Sequence, residues 1–172
     1  MNNSLQIYGA GSIGNHLAHA ARQLDFDVEV VDKSFEALKR MEKEIYPSRY
    51  NSFDKKIKLK TLDKAIKEKK YFDYIFIGTP PDTHLDLAIE NLLKKPKAIM
   101  IEKPLCTPSL KKLNFLKEKM KVSKSKMFIG YDHSVALSFK HFINLAKTNI
   151  GQVSTIDVDF RENWIGILKA HP

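Results

Sequence analysis

The 172-residue sequence predicts a doubly wound α/β fold, a parallel sheet with helices packed on both faces. Three observations predict it. Short apolar runs recur up to residue 133, separated by segments whose apolar residues return at helical spacing. The strongest runs are apolar on both faces, as strands covered from both sides must be. The first run ends in "GAGSIG", a glycine turn set between a strand and a helix. Strands and helices in alternation mean βαβ units and right-handed crossovers.

Each element has its own signal. "LQIYG" is a buried strand ending in glycine, and Ile13, Leu17, Ala20, Ala21 and Leu24 then place an amphipathic helix over 13–24. "VEVVD" is the second strand. Phe35, Leu38, Met41 and Ile45 place a helix that should stop before Pro47. "IKLK" reads as a brief strand and "LDKAIKEKK" as a short helix. "DYIFIG" and "AIMIE" are stronger strands, joined by a helix carrying Leu85, Ala88, Ile89 and Leu92. Pro108 should open a helix containing Leu110, Leu113, Leu116 and Met120, followed by the strand "KMFIGYDH". Val135, Phe139, Phe142, Ile143 and Ala146 mark one more helix, closed at "NIG". In "QVSTIDVDFRENW", Ile156, Val158 and Phe160 alternate with Thr155, Asp157 and Asp159, the pattern of a strand with one wet face. A lone strand can neither bury that face nor pair its edges, so it is expected to find a partner.

Composition narrows the function classes. The net charge of +9 invites a nucleic-acid reading, yet only Arg22, Arg40, Arg49 and Arg161 carry the guanidinium fork that reads bases and phosphates. The remaining basic residues are lysines spread through "KKIKLK", "KEKK", "LLKKPK" and "KEKMKVSKSK", without interleaved aromatics to stack bases. Solvated faces are the better reading, and no nucleic-acid partner is expected. Cys106 is the only cysteine, which leaves no disulfide framework and no zinc cluster. With no signal-like start and no apolar run near the ~18 residues of a membrane span, the expectation is a cytoplasmic protein without membrane contact.

The glycine turn carries the first chemistry. Gly9 permits a tight turn, Gly11 lets backbone approach a pyrophosphate, and Gly14 lets helix and strand pack closely. The helix start offers free N–H groups and a positive dipole end to phosphates. Asp32 ends the second strand, 18 residues after Gly14, where a carboxylate can accept both ribose hydroxyls. A structural turn and an S-adenosylmethionine-binding methyltransferase both remain open at this point. Asp32 would repel a 2′-phosphate and so argues for NAD; Lys33 beside it could pair with that phosphate and keeps NADP open.

Ligands of open α/β sheets collect at the carboxyl ends of strands. The fourth strand exits into "IGTPPDTH" and the fifth into "IEKPL". The two prolines stiffen the first loop, and Thr79 or Asp82 can cap the helix that follows. Glu102 and Lys103 emerge at the ligand edge, and Pro104 holds Lys103 to extended backbone angles that aim its side chain. An amine so placed can take the proton from a substrate hydroxyl as hydride leaves the carbon. A surface ion pair between Glu102 and Lys103 is the plainer alternative.

Taken together, "GAGSIG", Asp32, "GTPPDTH", "EKPL" and "GYDH" resemble, in order and spacing, the Gfo/Idh/MocA family of glucose–fructose oxidoreductase, inositol dehydrogenase and MocA proteins. "EKP" after "TPPDTH" is the most specific element, and the methyltransferases have no counterpart to it. The resemblance implies a Rossmann domain in which Gly9, Gly11, Ser12, Ile13 and Gly14 hold the pyrophosphate of NAD, or of NADP, and Asp32 the adenosine ribose. It further implies that Thr79, Pro80 and His84 line the cofactor, that Glu102 lies near the nicotinamide ribose, and that Lys103 is the catalytic lysine, often beside a cis Lys–Pro bond. The substrate implied is a small sugar-like molecule or polyol. The family's usual N-H-R at the next strand reads Asp132, His133, Ser134 here; His133 is carried over as substrate-facing, and His171 as substrate lining outside the family's usual position. Trp164 reads as a packing residue.

The expected organisation is a dinucleotide-binding domain over 1–133 and the incomplete start of a substrate and oligomerisation α/β domain over 134–172. The expected function is hydride transfer between nicotinamide and a sugar-like or polyol hydroxyl. A homo-oligomer or a second chain would complete the site; a non-catalytic NAD-binding or redox-sensing module is the alternative.

Overall fold

The structure is a computed structural model and describes residues 3–159, 161, 164 and 165. The chain divides into two compact units, Met1–Tyr131 and Asp132–Pro172.

The first unit holds β1 (Ser4–Tyr8), α1 (Ser12–Gln23), β2 (Asp27–Asp32), α2 (Phe35–Arg40) and, after a π-turn over Met41–Ile45, α3 (Tyr46–Tyr50). It continues with β3 (Lys58–Thr61), α4 (Leu62–Glu68), β4 (Tyr74–Ile77), α5 (Pro81–Leu92), β5 (Ala98–Ile101), α6 (Leu113–Val122) and β6 (Lys126–Ile129). The strands form one sheet in the order β3-β2-β1-β4-β5-β6, every pairing parallel. This is the doubly wound arrangement expected from the sequence, and the chain's direction of travel across the sheet reverses between β1 and β4.

Strand alternation sorts the core into two layers. Leu5, Ile7, Val28 and Val30 pack on one face with Ala18 and Ala21 of α1, Leu38 of α2, Met41 and Tyr46. Tyr8, Val31, Ile75, Ile77, Ile99 and Ile101 pack with Leu85, Ala88 and Leu92 of α5 and Leu116 of α6. Glu29 is buried in mid-strand, a position that demands a partner. It accepts from Gln6 Nε2 at 2.9 Å and pairs with Lys60 Nζ at 2.8 Å. Before β4, Asp73 accepts from the backbone N–H of Ser4 at 2.9 Å and its hydroxyl at 2.8 Å, and pairs with Lys97 at 3.0 Å. Those donors, the Ser4 backbone first, hold its carboxyl down at about 2.

Four local expectations are corrected. The helix expected to stop before Pro47 runs on to Tyr50: the π-turn shifts the register, Tyr46 N–H reaching Met41 O, and Pro47 falls in the first turn of α3, where its missing N–H matters least. Pro108 opens no helix, because Leu110 and Lys112 take φ of 52° and 64° in two successive turns and α6 begins at Leu113. The strand "KMFIGYDH" ends at Ile129. Residues 151–159 form no strand despite their alternation; among the described residues no neighbour pairs with them, and Ile156 and Val158 are exposed.

The second unit begins with a 3₁₀ turn over Asp132–Val135, followed by α7 (Leu137–Leu145) and a π-turn over Ala146–Ile150. Phe139 and Phe142 of α7 stack with centroids 6.4 Å apart, and both are exposed.

Candidate functional site

The site grows from the carboxyl ends of β1, β2, β4 and β5. Gly9 follows β1 with φ +105°, and a Cβ there would stand 2.7 Å from Gly78 O, so the turns after β1 and β4 abut as only glycine allows. A Cβ on Gly14 would lie 1.9 Å from Gly9 O, so α1 packs directly on the turn. Gly11 differs: it has ordinary backbone angles, and a Cβ would meet nothing within 4 Å. No side chain caps α1, no acidic residue lies in its first turn, and Ser12 and Ile13 are exposed. The helix presents bare N–H groups and its positive dipole end, an arrangement that fits an anion.

Asp32 closes the side of this turn. One carboxylate oxygen accepts from the Ala10 N–H at 2.8 Å and the other from the Ser34 N–H at 2.9 Å. The side chain therefore ties the glycine turn to the end of β2 at the edge of the adjoining cleft, where each oxygen can still accept a second bond. That cleft, about 390 Å³, is lined by Gly9, Gly11, Asp32, Lys33, Thr79 and Pro80. Ala37, Leu62 and Leu87 supply its apolar wall.

At the next strand ends, Pro81 opens α5 in its first turn. His84 of α5 is fully buried rather than facing the cleft. Its Nε2 lies 2.6 Å from Thr79 O and its Nδ1 2.9 Å from Pro104 O, so the imidazole staples the loop after β4 to the loop after β5. Glu102 N–H donates to Ile77 O at 2.8 Å, and the Glu102 carboxylate lies against Gly130, where a Cβ would come 2.7 Å from its Oε1. Lys103 is exposed, makes no ion pair among the described residues, and precedes Pro104 across a cis peptide bond. Glu102 and Lys103 therefore do not form the surface ion pair.

The structure thus brings Gly9, Gly11, Asp32, Lys33, Thr79 and Pro80 around one cleft, with Ser12 and Ile13 at its helix start. His133 lies in the second unit, exposed on the 3₁₀ turn. His171 lies outside the described residues. Two residues escaped the sequence reading. Arg40 lines the cleft, and Arg49 donates to Ser12 O and Ser12 Oγ at 2.9 and 2.8 Å. A signal was there, since two of only four arginines follow closely on the acidic strand end. Among the described residues, no cluster of three or more His, Cys, Asp or Glu could hold a metal, and no helix is long and apolar enough to cross a membrane.

Comparison with known proteins agrees with this geometry. Residues 4–131 match the Gfo/Idh/MocA oxidoreductase family, NAD-binding Rossmann fold. Among solved structures, myo-inositol dehydrogenase from Corynebacterium glutamicum superposes with a TM-score of 0.69 at 22% identity, over 88% of this chain and 43% of that one. The Lactobacillus casei myo-inositol dehydrogenase, in complex with NAD(H) and myo-inositol, gives 0.69 at 18%, over 87% and 42%. GenD2 from gentamicin A biosynthesis, in complex with NAD, gives 0.66 at 18%, over 87% and 40%. The chain therefore spans less than half the length of these three proteins. No curated protein sequence matches it. With three quarters of its length matched and the glycine turn, Asp32 and the "EKP" strand end in place, the chain belongs to the Gfo/Idh/MocA oxidoreductase family and carries its NAD-binding Rossmann fold.

Proposed function

We propose that the chain is the cofactor-holding part of an NAD-dependent dehydrogenase that oxidises a hydroxyl of a sugar-like molecule or polyol, or reduces the matching carbonyl. The open space at Gly11 carries the reading. Nothing in the protein's own packing requires glycine there, whereas a diphosphate lying over the start of α1 does. The residues present fit the cofactor: bare N–H groups at Ser12 and Ile13 for the diphosphate, Asp32 for ribose hydroxyls, an apolar wall for the base, and Thr79 and Pro80 toward the nicotinamide end. Bound there, the nicotinamide supplies hydride transfer.

The protein's own chemistry falls to the end of β5. Lys103 Nζ exchanges a proton with the substrate oxygen, Glu102 meets the nicotinamide ribose, and His84 keeps the loop that bears them in register with Thr79. Asp32 favours NAD, while Lys33 and Arg40 on the same cleft leave room for the 2′-phosphate of NADP. His133 and His171 are assigned to substrate. The polyol assignment draws on the inositol complex of the L. casei relative. The exposed apolar residues of α7, Leu137, Phe139, Phe142 and Leu145, are proposed to be covered in a homo-oligomer or by a second chain, which light scattering tests.

The experiment is NADH titration followed by turnover with NAD and a panel of inositols and sugars. Binding with polyol-dependent reduction of NAD supports the reading. Binding without turnover on any hydroxyl substrate, even with the chain assembled with whatever completes its substrate side, would favour a non-catalytic NAD module. No binding of NADH or NADPH at millimolar concentration would reject both.

A further inference from the structure

Arg49 has no place in the chemistry above, yet its guanidinium sits at the first turn of α1. Nη1 donates to Ser12 O at 2.9 Å and Nη2 donates to Ser12 Oγ at 2.8 Å. No carboxylate among the described residues pairs with it, although the guanidinium fork matches carboxylate and phosphate best. The bond to the hydroxyl also settles that hydroxyl's role. With Ser12 Oγ accepting from Arg49, its own proton is left to donate, and no described residue accepts it. Ser12 is exposed and immediately follows Gly11, the position whose open side fits a diphosphate.

The neighbours hold Arg49 in this pose. Tyr50, next in sequence, stacks on His19 with centroids 3.7 Å apart and planes 2° from parallel. Its hydroxyl lies 2.6 Å from His16 Nδ1, one turn along α1 from Ser12. Tyr46 reaches His19 Nδ1 at 3.2 Å. The end of α3 is thereby clamped across α1, and Arg49 projects from the clamp toward the helix start. Its field is felt locally: partial burial first, and then the Arg49 charge, hold the His16 ring below its ordinary range.

We propose that Arg49 is a diphosphate-binding residue of this chain. It supplies the positive charge that the glycine turn lacks and turns the Ser12 hydroxyl into a donor aimed at the dinucleotide's phosphates. The inference rests on the NAD-binding reading and adds to it a cation contributed by α3. Only ligands with a diphosphate feel Arg49, and a Lys at 49 keeps the charge while losing the fork.

The test measures dissociation constants of NADH, ADP-ribose and adenosine for the full chain, with adenosine read by competition against NADH fluorescence, alongside melting temperatures. Arg49→Gln is expected to weaken ADP-ribose and NADH about tenfold at low salt, as loss of one nearby charge implies, and adenosine less than twofold. Added salt should shrink the difference. Arg49→Lys should recover most of the affinity. Ser12→Ala should weaken ADP-ribose about fivefold and, combined with Arg49→Gln, fall short of additivity. Should Arg49→Gln fail to fold, Ser12→Ala carries the test, since it removes one exposed hydroxyl. An unchanged ADP-ribose constant in Arg49→Gln or Ser12→Ala overturns the proposal and leaves Arg49 as a tie between α3 and α1. A wild-type chain that binds no dinucleotide overturns the cofactor reading itself, a distinct result.

Discussion

Two alanines in one turn separate fold from function. At Gly11 the backbone is already extended, with φ −75° and ψ −165°, and an added Cβ meets nothing within 4 Å. Gly11 is the N-cap of α1, where replacing glycine by alanine costs up to about 1 kcal/mol. The methyl group would, however, occupy the side from which a diphosphate approaches the N–H groups of α1. Gly11→Ala is therefore expected to unfold within about 1 kcal/mol of wild type while its NADH dissociation constant rises at least tenfold, about 1.4 kcal/mol. Gly14→Ala is the opposite case. Its Cβ would lie 1.9 Å from Gly9 O, where an ordinary carbon–oxygen contact is about 3.3 Å. Helix and turn would have to part by more than roughly 1 Å in a close-packed layer, at about 3 kcal/mol. Urea unfolding and NADH fluorescence titration read the two variants side by side. A Gly11→Ala protein that binds NADH like wild type would refute the reasoning, and so would one destabilised as much as Gly14→Ala.

Further outcomes follow from the same geometry. Lys103→Met should abolish turnover while leaving NADH affinity within about twofold, because Lys103 is exposed and is not among the residues that line the cleft; a large loss of affinity in a titration would assign Lys103 to binding instead. His84→Ala removes a buried ring that joins Thr79 O to Pro104 O and is expected to lower unfolding free energy by about 3 kcal/mol in urea; a change below about 1 kcal/mol would show that the staple does not hold the loops. Asp73 has its carboxyl held down at about 2 from a reference of 3.8, so its contribution is complete above about pH 4 and is lost as pH falls toward 2. The Asp73–Lys97 pair is partly solvated, which reduces the expected difference to about 1 kcal/mol, and Asp73→Asn should erase that part of the acid-unfolding curve. An Asp73→Asn curve that still falls like wild type across that window would place the loss elsewhere.

The sheet and its glycine turn were legible because their determinants are local. Apolar runs such as "VEVVD" and "DYIFIG" announce buried strands, and "GAGSIG" between a strand and a helix announces the turn. What escaped depends on contacts between distant residues. Asp32 was readable as a ribose partner, yet its bond to the Ala10 N–H spans 22 residues and appears only when β1 and β2 lie side by side. Pro47 was read as a stop by its chemistry; the π-turn that carries the helix past it is a register shift that no single residue encodes, and it brings Arg49 to Ser12. Residues 151–159 keep the alternation of a strand, but a strand is a property of a pair and none is present among the described residues. His84 shows the same limit in the site: its loop was readable from "GTPPDTH", whereas its burial between two carbonyls was not.

The central claim is that one cleft at the β1–β4 reversal holds a dinucleotide and delivers its nicotinamide to Lys103. A crystal structure of the chain with NADH tests it most directly. The account predicts the diphosphate over the N–H groups of Ser12 and Ile13, ribose hydroxyls on Asp32, and Lys103 Nζ facing the hydride-bearing carbon of the nicotinamide. Dinucleotide bound away from Gly11, or a nicotinamide ring pointing away from the end of β5, would contradict it.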